Sequence, residues 1–153
     1  MKDPLAGVPF LDEVGREERL SLLPYLAERT FAPGQRIFQS GDEAQEMLVL
    51  LEGQVRVESR GSELCTLGVG EVIGGVSLAL VGHRRCGLVA LTAVRALALE
   101  RTAYLRLRTD APAVALVLQE ALVRSFVRAV GVAGIPESLT APPATVDGSS
   151  RAD

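Results

Sequence analysis

Gly68-Val69-Gly70-Glu71-Val72-Ile73-Gly74-Gly75-Val76-Ser77-Leu78-Ala79, with Gly82-His83-Arg84 just beyond, carries the densest signal in this 153-residue chain. A glycine turn leads into a short strand, and a second glycine pair leads into a small apolar helical turn. Glycines let backbone approach a ligand, and the free N–H groups that open a helical turn point at negative charge. An arginine adds a bidentate clamp for phosphate. The stretch is an anion cradle in outline, with Arg84 as its charge partner.

Working outward, short Val- and Leu-rich runs alternate with glycine turns at intervals of about eight to twelve residues, the texture of a compact all-β roll or sandwich. Strands are expected at Arg36 to Gln39, Met47 to Leu51, Gln54 to Glu58, Leu64 to Leu67, Leu88 to Ala93 and Ala96 to Leu99. In Gln54-Val55-Arg56-Val57-Glu58 apolar and polar residues alternate strictly, as a half-buried strand requires.

Helical spacing flanks the strands. REERLSLLPYLAE (Arg16 to Glu28) places Leu20, Leu23 and Leu26 on one side, and Pro24 interrupts it. After Leu99 come a short turn near Thr102 to Leu107 and a longer helix over Pro112 to Val130, about 28 Å in length. On that helix Glu120, Arg124 and Arg128 form a polar stripe, while Val114, Val117, Leu118, Leu122, Val123, Phe126, Val127 and Val130 cover much of the rest. So wide an apolar belt calls for two partners, the roll and something else. The tail APPATVDGSSRAD has no periodicity and reads as disordered.

Composition narrows the function classes. A net charge of -3 argues against a sequence-independent nucleic-acid binder. The opening residues show no charged leader followed by an apolar run, and no apolar stretch approaches the roughly 20 residues that cross a bilayer, so a cytoplasmic protein without membrane contact is expected. Cys65 and Cys86 read as reduced, buried thiols. One histidine, His83, and two cysteines cannot assemble a catalytic triad, a Cys/His pair or a metal cluster, so neither an enzyme, a metal site nor a cofactor is expected. Gly68-x-Gly70 evokes a dinucleotide fingerprint, but no long helix follows it and no Asp or Glu lies between Glu71 and Glu100.

FAPGQRIFQSGD (Phe31 to Asp42), MLVLLEGQVRV (Met47 to Val57), ELCTLGVGEVIGG (Glu63 to Gly75) and ALTAVRALALERTAYLRL (Ala90 to Leu107) occur in order and at characteristic spacing. In these segments the chain resembles the cyclic-nucleotide-binding domain family, the β-roll of the catabolite-activator type. The resemblance covers roughly four fifths of the sequence, Phe10 to Val130. It implies a mainly β fold with flanking α: a double-stranded β-helix or jelly-roll with an N-terminal helix and C-terminal helices. Residues 1–9 are then an N-terminal extension, 10–130 the domain and 131–153 the tail.

That family's phosphate cassette runs approximately Phe-Gly-Glu-x-Ala-Leu and then Pro-Arg-x-Ala. Here it reads Ile73-Gly74-Gly75-Val76-Ser77-Leu78 and then His83-Arg84-Arg85-Cys86, with no gap. The resemblance implies that Arg84 holds the phosphate, with Arg85 and Cys86 next to it. Gly74, Gly75 and Val76 supply backbone amides, and Ser77 takes the place of a small cassette residue. Phe126 and Val130 lie on the helix that would cap the base. Gly75 replaces the glutamate that accepts a hydrogen bond from the ribose 2′-hydroxyl, so binding of cAMP or cGMP is expected to be weak. His83 replaces the cassette proline and frees φ before Arg84.

The expected function is therefore a regulatory module for a cyclic nucleotide or related phosphate ligand. The alternative is a degenerate roll that acts as a dimerisation or protein-interaction module through the 112–130 helix. Read from adjacency alone, Arg84-Arg85 is a solvated surface pair and Gly74-Gly75 a plain turn or bulge. The 23 residues after Val130 do not pattern as a helix-turn-helix, so DNA binding by this chain alone is not expected.

Overall fold

The apolar run Met47-Leu48-Val49-Leu50 is buried residue by residue, because its strand is covered on both faces. Leu48 and Leu50 face one cluster, together with Val55, Leu88, Ala90, Val94, Ala96 and Ala98. Met47 and Val49 face another, shared with Leu97, Leu99, Tyr104, Leu107 and Leu118. A computed structural model describes residues 2–78 and 81–132, apart from the side chains of 76 and 129–132. It divides into two compact units, Met1–Leu122 and Val123–Asp153.

Within the first unit the described elements run α1 (Arg16–Leu22), β1 (Ala27–Phe31), β2 (Arg36–Phe38), β3 (Glu46–Glu52), β4 (Val55–Ser59), β5 (Ser62–Leu67), β6 (Val72–Ile73), β7 (Gly87–Ala90), β8 (Val94–Glu100) and α2 (Arg101–Asp110). α3 (Pro112–Val132) begins there and runs on. Two four-stranded antiparallel sheets form, in the orders β1-β8-β3-β6 and β2-β7-β4-β5. They share the first cluster, whereas the second joins the outer face of β3 and β8 to the helices. This is the mainly β roll with flanking helices that the sequence pattern predicts.

The differences have identifiable causes. Pro24 does end α1: Leu23–Tyr25 tightens into a 3-10 turn. The chain then enters β1 at Ala27, so the last two residues of the segment that helical spacing marks as Arg16 to Glu28 are strand. Pairing with β8 over Ala27↔Ala98 to Phe31↔Val94 imposes the strand. The short turn expected at Thr102 to Leu107 is a ten-residue helix, α2, which buries Ala103, Tyr104 and Leu107. Cys65 is exposed and Cys86 partly buried, which corrects the expectation of two buried thiols. The reason is position: β5 is an edge strand, and only Leu67 at its end is partly covered.

Leu5 and Val8, in the expected N-terminal extension, contribute to the second cluster. No helix among the described residues is long and apolar enough to cross a membrane. The tail beyond 132 lies outside the described residues.

Candidate functional site

β6 pairs with β3 through Leu48↔Ile73 and Val49↔Val72, which brings the cassette beside Glu46, the first residue of β3. Gly74 follows with φ +79, a left-handed conformation open to glycine and strained for other residues. Space demands glycine as well. A Cβ at 74 would overlap Arg84 Nη1 and stand 3.1 Å from the Glu46 carbonyl oxygen. Gly75–Leu78 is then a single 3-10 turn, in which the Ser77 amide donates to the Gly74 carbonyl at 2.9 Å. A Cβ at 75 would meet Leu122 Cδ2 of α3 at 3.1 Å, so the helix packs directly on the cassette backbone.

Arg84 arrives from the other side. Its amide donates to Asp42 O and its carbonyl accepts from the Gly41 amide, both at 2.7 Å, so the loop after β2 clamps it from both faces. The half-buried guanidinium donates from Nη2 to Glu46 O at 2.8 Å and lies over the Phe38 ring, 4.2 Å from its centroid. Nε is buried and has no acceptor. Among the described residues Arg84 makes no ion pair; the Glu46 carboxylate is held instead by Arg29 at 3.1 Å. Burial pushes Arg84 below the ordinary arginine range, and the carboxylates of Glu46 and Asp42 oppose the shift from a distance. It remains a cation at any physiological pH.

A second arginine supports the turn. Arg101, at the start of α2, donates to Ser77 O from Nε (2.9 Å) and Nη2 (2.6 Å), and to Ala44 O from Nη2 (2.7 Å). These charge-assisted bonds tie the C-terminal end of the cassette turn, at Ser77, to the loop before β3, at Ala44. The hydroxyl of Ser77, a residue only 5% exposed, faces the carbonyls of Gly74 (2.5 Å) and Glu46 (3.1 Å). The arrangement can hold an anion at Arg84. It offers no nucleophile–base pair, and no group of three or more potential metal ligands occurs among the described residues.

The sequence profile described as the cyclic nucleotide-binding domain matches residues 28–110, more than half of the chain. The chain belongs to the cyclic nucleotide-binding domain family. It is similar to the cyclic AMP receptor protein of Thermus thermophilus, 34% identical over 125 residues, which covers 78% of this chain and 58% of that protein. A similar segment occurs in the cAMP-dependent protein kinase type II regulatory subunit of Drosophila melanogaster, 36% identical over 84 residues (52% of this chain, 22% of that one). The crystal structure of the N-terminal domain of a transcriptional regulator from Streptomyces coelicolor superposes with TM-score 0.72 and 29% identity, over 84% of this chain and 95% of that one. The chain thus spans less than two thirds of the curated relatives it matches. These relatives place it with regulatory domains of the cyclic nucleotide-binding family.

Of the cassette residues expected from sequence, the fold brings Gly74, Gly75, Ser77 and Arg84 together. Val76 lies in the same turn. Arg85 is exposed, and its carbonyl accepts from Ser40 Oγ at 3.3 Å; Cys86 is partly buried and His83 exposed. Phe126, expected as a base contact, is 60% exposed in the second unit, and the Val130 side chain lies outside the described residues. Sequence reading missed Phe38 and Arg101. Phe38 sits inside a predicted strand and gave no separate signal, while Arg101 falls at a strand–helix junction that was read as ending at Leu99.

Proposed function

We propose that this cyclic nucleotide-binding domain is a regulatory module that takes a cyclic nucleotide, cyclic AMP or cyclic GMP, or a related phosphate ligand, at Arg84. One observation carries the reading: a half-buried guanidinium, with no carboxylate partner among the described residues and with an unengaged Nε, beside the cassette glycines. A desolvated cation is costly until an anion meets it. A phosphate oxygen pair supplies that anion in the geometry arginine prefers, and the amides of Gly74, Gly75 and Val76 add donors. Affinity is weak, because position 75 has no carboxylate to receive the sugar hydroxyl. A hydrogen bond to a charged group contributes roughly 1.5–3 kcal/mol, about tenfold to a hundredfold in affinity. Since Leu122 packs on Gly75, a ligand that reshapes the cassette acts on α3.

Isothermal titration with cyclic AMP and cyclic GMP, with Arg84→Ala as the control, tests this. Heat that disappears in the variant supports it; no heat at millimolar ligand overturns it.

A second reading, a dimerisation or protein-interaction module, is favoured by one specific feature. Val123, Phe126 and Val127 are 61%, 60% and 58% exposed at spacings that place them on one side of α3. It predicts ligand-independent association. A sedimentation experiment that shows a monomer at high concentration, alongside clear nucleotide binding, counts against it.

A further inference from the structure

His83, the only histidine in the chain, is left unused by the phosphate-ligand reading. It pairs with Glu43 in an isolated antiparallel bridge, and both residues are exposed. The bonds on either side of the bridge run from the Arg84 amide to Asp42 O at 2.7 Å and from the Ala44 amide to Gly82 O at 2.9 Å. A bridge flanked in this way is the non-hydrogen-bonded kind of pair, in which opposed side chains stand closest. The same ladder fixes the backbone of Arg84, whose amide is one of these donors and whose carbonyl accepts from the Gly41 amide at 2.7 Å. What tightens the bridge therefore holds Arg84.

Alternation along the ladder sends Arg85 to the face of His83, and Asp42 and Arg84 to the other. On the shared face the Glu43 carboxylate accepts from Gln45 Nε2, a neutral donor, at 3.2 Å. Glu43 is directly opposite His83, about 5 Å away at Cβ, whereas Arg85 is two residues along, about 6.6 Å. Attraction of an imidazolium to Glu43 outweighs its repulsion by Arg85. We infer that His83 and Glu43 form a proton-controlled clamp on Arg84: protonation pairs them across the bridge, holds Arg84 in place and strengthens anion binding. The inference rests on the phosphate-ligand reading above and adds regulation to that site. Because the pair needs an imidazolium, its contribution is present at the acid end of the histidine range, roughly pH 5 to 8, and lost as pH rises through it. A cyclic phosphodiester keeps its single negative charge throughout, so the ligand adds no pH dependence of its own.

Titration with cyclic AMP at about pH 6 and about pH 8 tests this, with an expected affinity about threefold higher at the lower pH, within the range of an exposed cross-strand charge pair. His83→Gln and Glu43→Gln, both at exposed positions, are each expected to flatten that ratio to about one. A flat ratio in the wild type overturns the inference and leaves the phosphate-ligand reading intact. A wild-type ratio in either variant overturns the assignment to this pair. Absence of binding at millimolar nucleotide at both pH values overturns the phosphate-ligand reading instead. The clamp itself is read without ligand, from hydrogen-exchange protection factors of the Arg84 and Ala44 amides, which correct for the intrinsic effect of pH. They are expected to be higher at the lower pH in the wild type and not in Glu43→Gln, and equal factors at both pH values in the wild type overturn the clamp.

Discussion

The guanidinium carbon of Arg84 lies 4.2 Å from the centroid of the Phe38 ring. The ring gives the cation a partly desolvated floor whose quadrupole attracts positive charge, worth about 0.5–2 kcal/mol. It holds the guanidinium without neutralising it, so the charge stays available to an incoming anion. Phe38→Leu keeps the apolar packing and removes the π face. Ligand affinity is expected to fall about threefold to tenfold in calorimetry, with a smaller change in melting temperature.

Gly74 and Arg84 are matched in space, since a Cβ at 74 would overlap the guanidinium. Gly74→Ala combines that overlap with a φ of +79, which costs a non-glycine residue about 1–3 kcal/mol. A lower urea midpoint and loss of the Arg84-dependent heat are expected together. A variant that loses neither removes Gly74 from the site.

Arg101 ties the far end of the same turn, at the Ser77 carbonyl, to the Ala44 carbonyl in the loop before β3. Arg101→Ala leaves both without their charged donor and is expected to destabilise the domain by about 2–3 kcal/mol. Hydrogen exchange should quicken first at residues 72–78. Arg101→Lys, one point charge in place of a fork, should restore only part of the protection.

How far the sequence carried depends on where each signal resides. Gly74, Gly75 and Arg84 were legible because they lie within one short stretch and keep a fixed spacing. β3 was legible because burial on both faces demands an unbroken apolar run. β1 was not: AERTF has charges at Glu28 and Arg29, and only its pairing with β8 makes it a strand. Arg101 was invisible because its partners lie 24 and 57 residues away in sequence. Cys65 was misjudged because a strand's residue types do not reveal that it is an edge.

Glu58 gives the fold a pH dependence of known sign. Hydrogen bonds from Arg56 and Arg36 hold its carboxyl below the ordinary value of 4.5. A depressed carboxylate contributes stability that is present above the ordinary value and lost as pH falls through the folded one. Melting temperature is therefore expected to drop below about pH 4.5, and to drop less in Glu58→Gln. Equal losses in both proteins would assign the acid sensitivity to other groups.

Arg84→Met separates function from stability. The substitution removes a desolvated cation whose Nε has no acceptor, and it keeps an unbranched side chain over Phe38. It also removes the 2.8 Å bond to Glu46 O, an oxygen that still has the Ser77 hydroxyl 3.1 Å away. Relief of the desolvation penalty offsets the loss of one hydrogen bond and of the cation–π contact, which a thioether over the ring partly replaces, so the ligand-free variant should melt near the wild-type temperature. The rise in melting temperature produced by millimolar cyclic AMP should vanish, because that stabilisation scales with occupancy of the site. A ligand-free variant that melts well below wild type would make Arg84 a structural residue, and the uncompensated charge would no longer argue for a ligand.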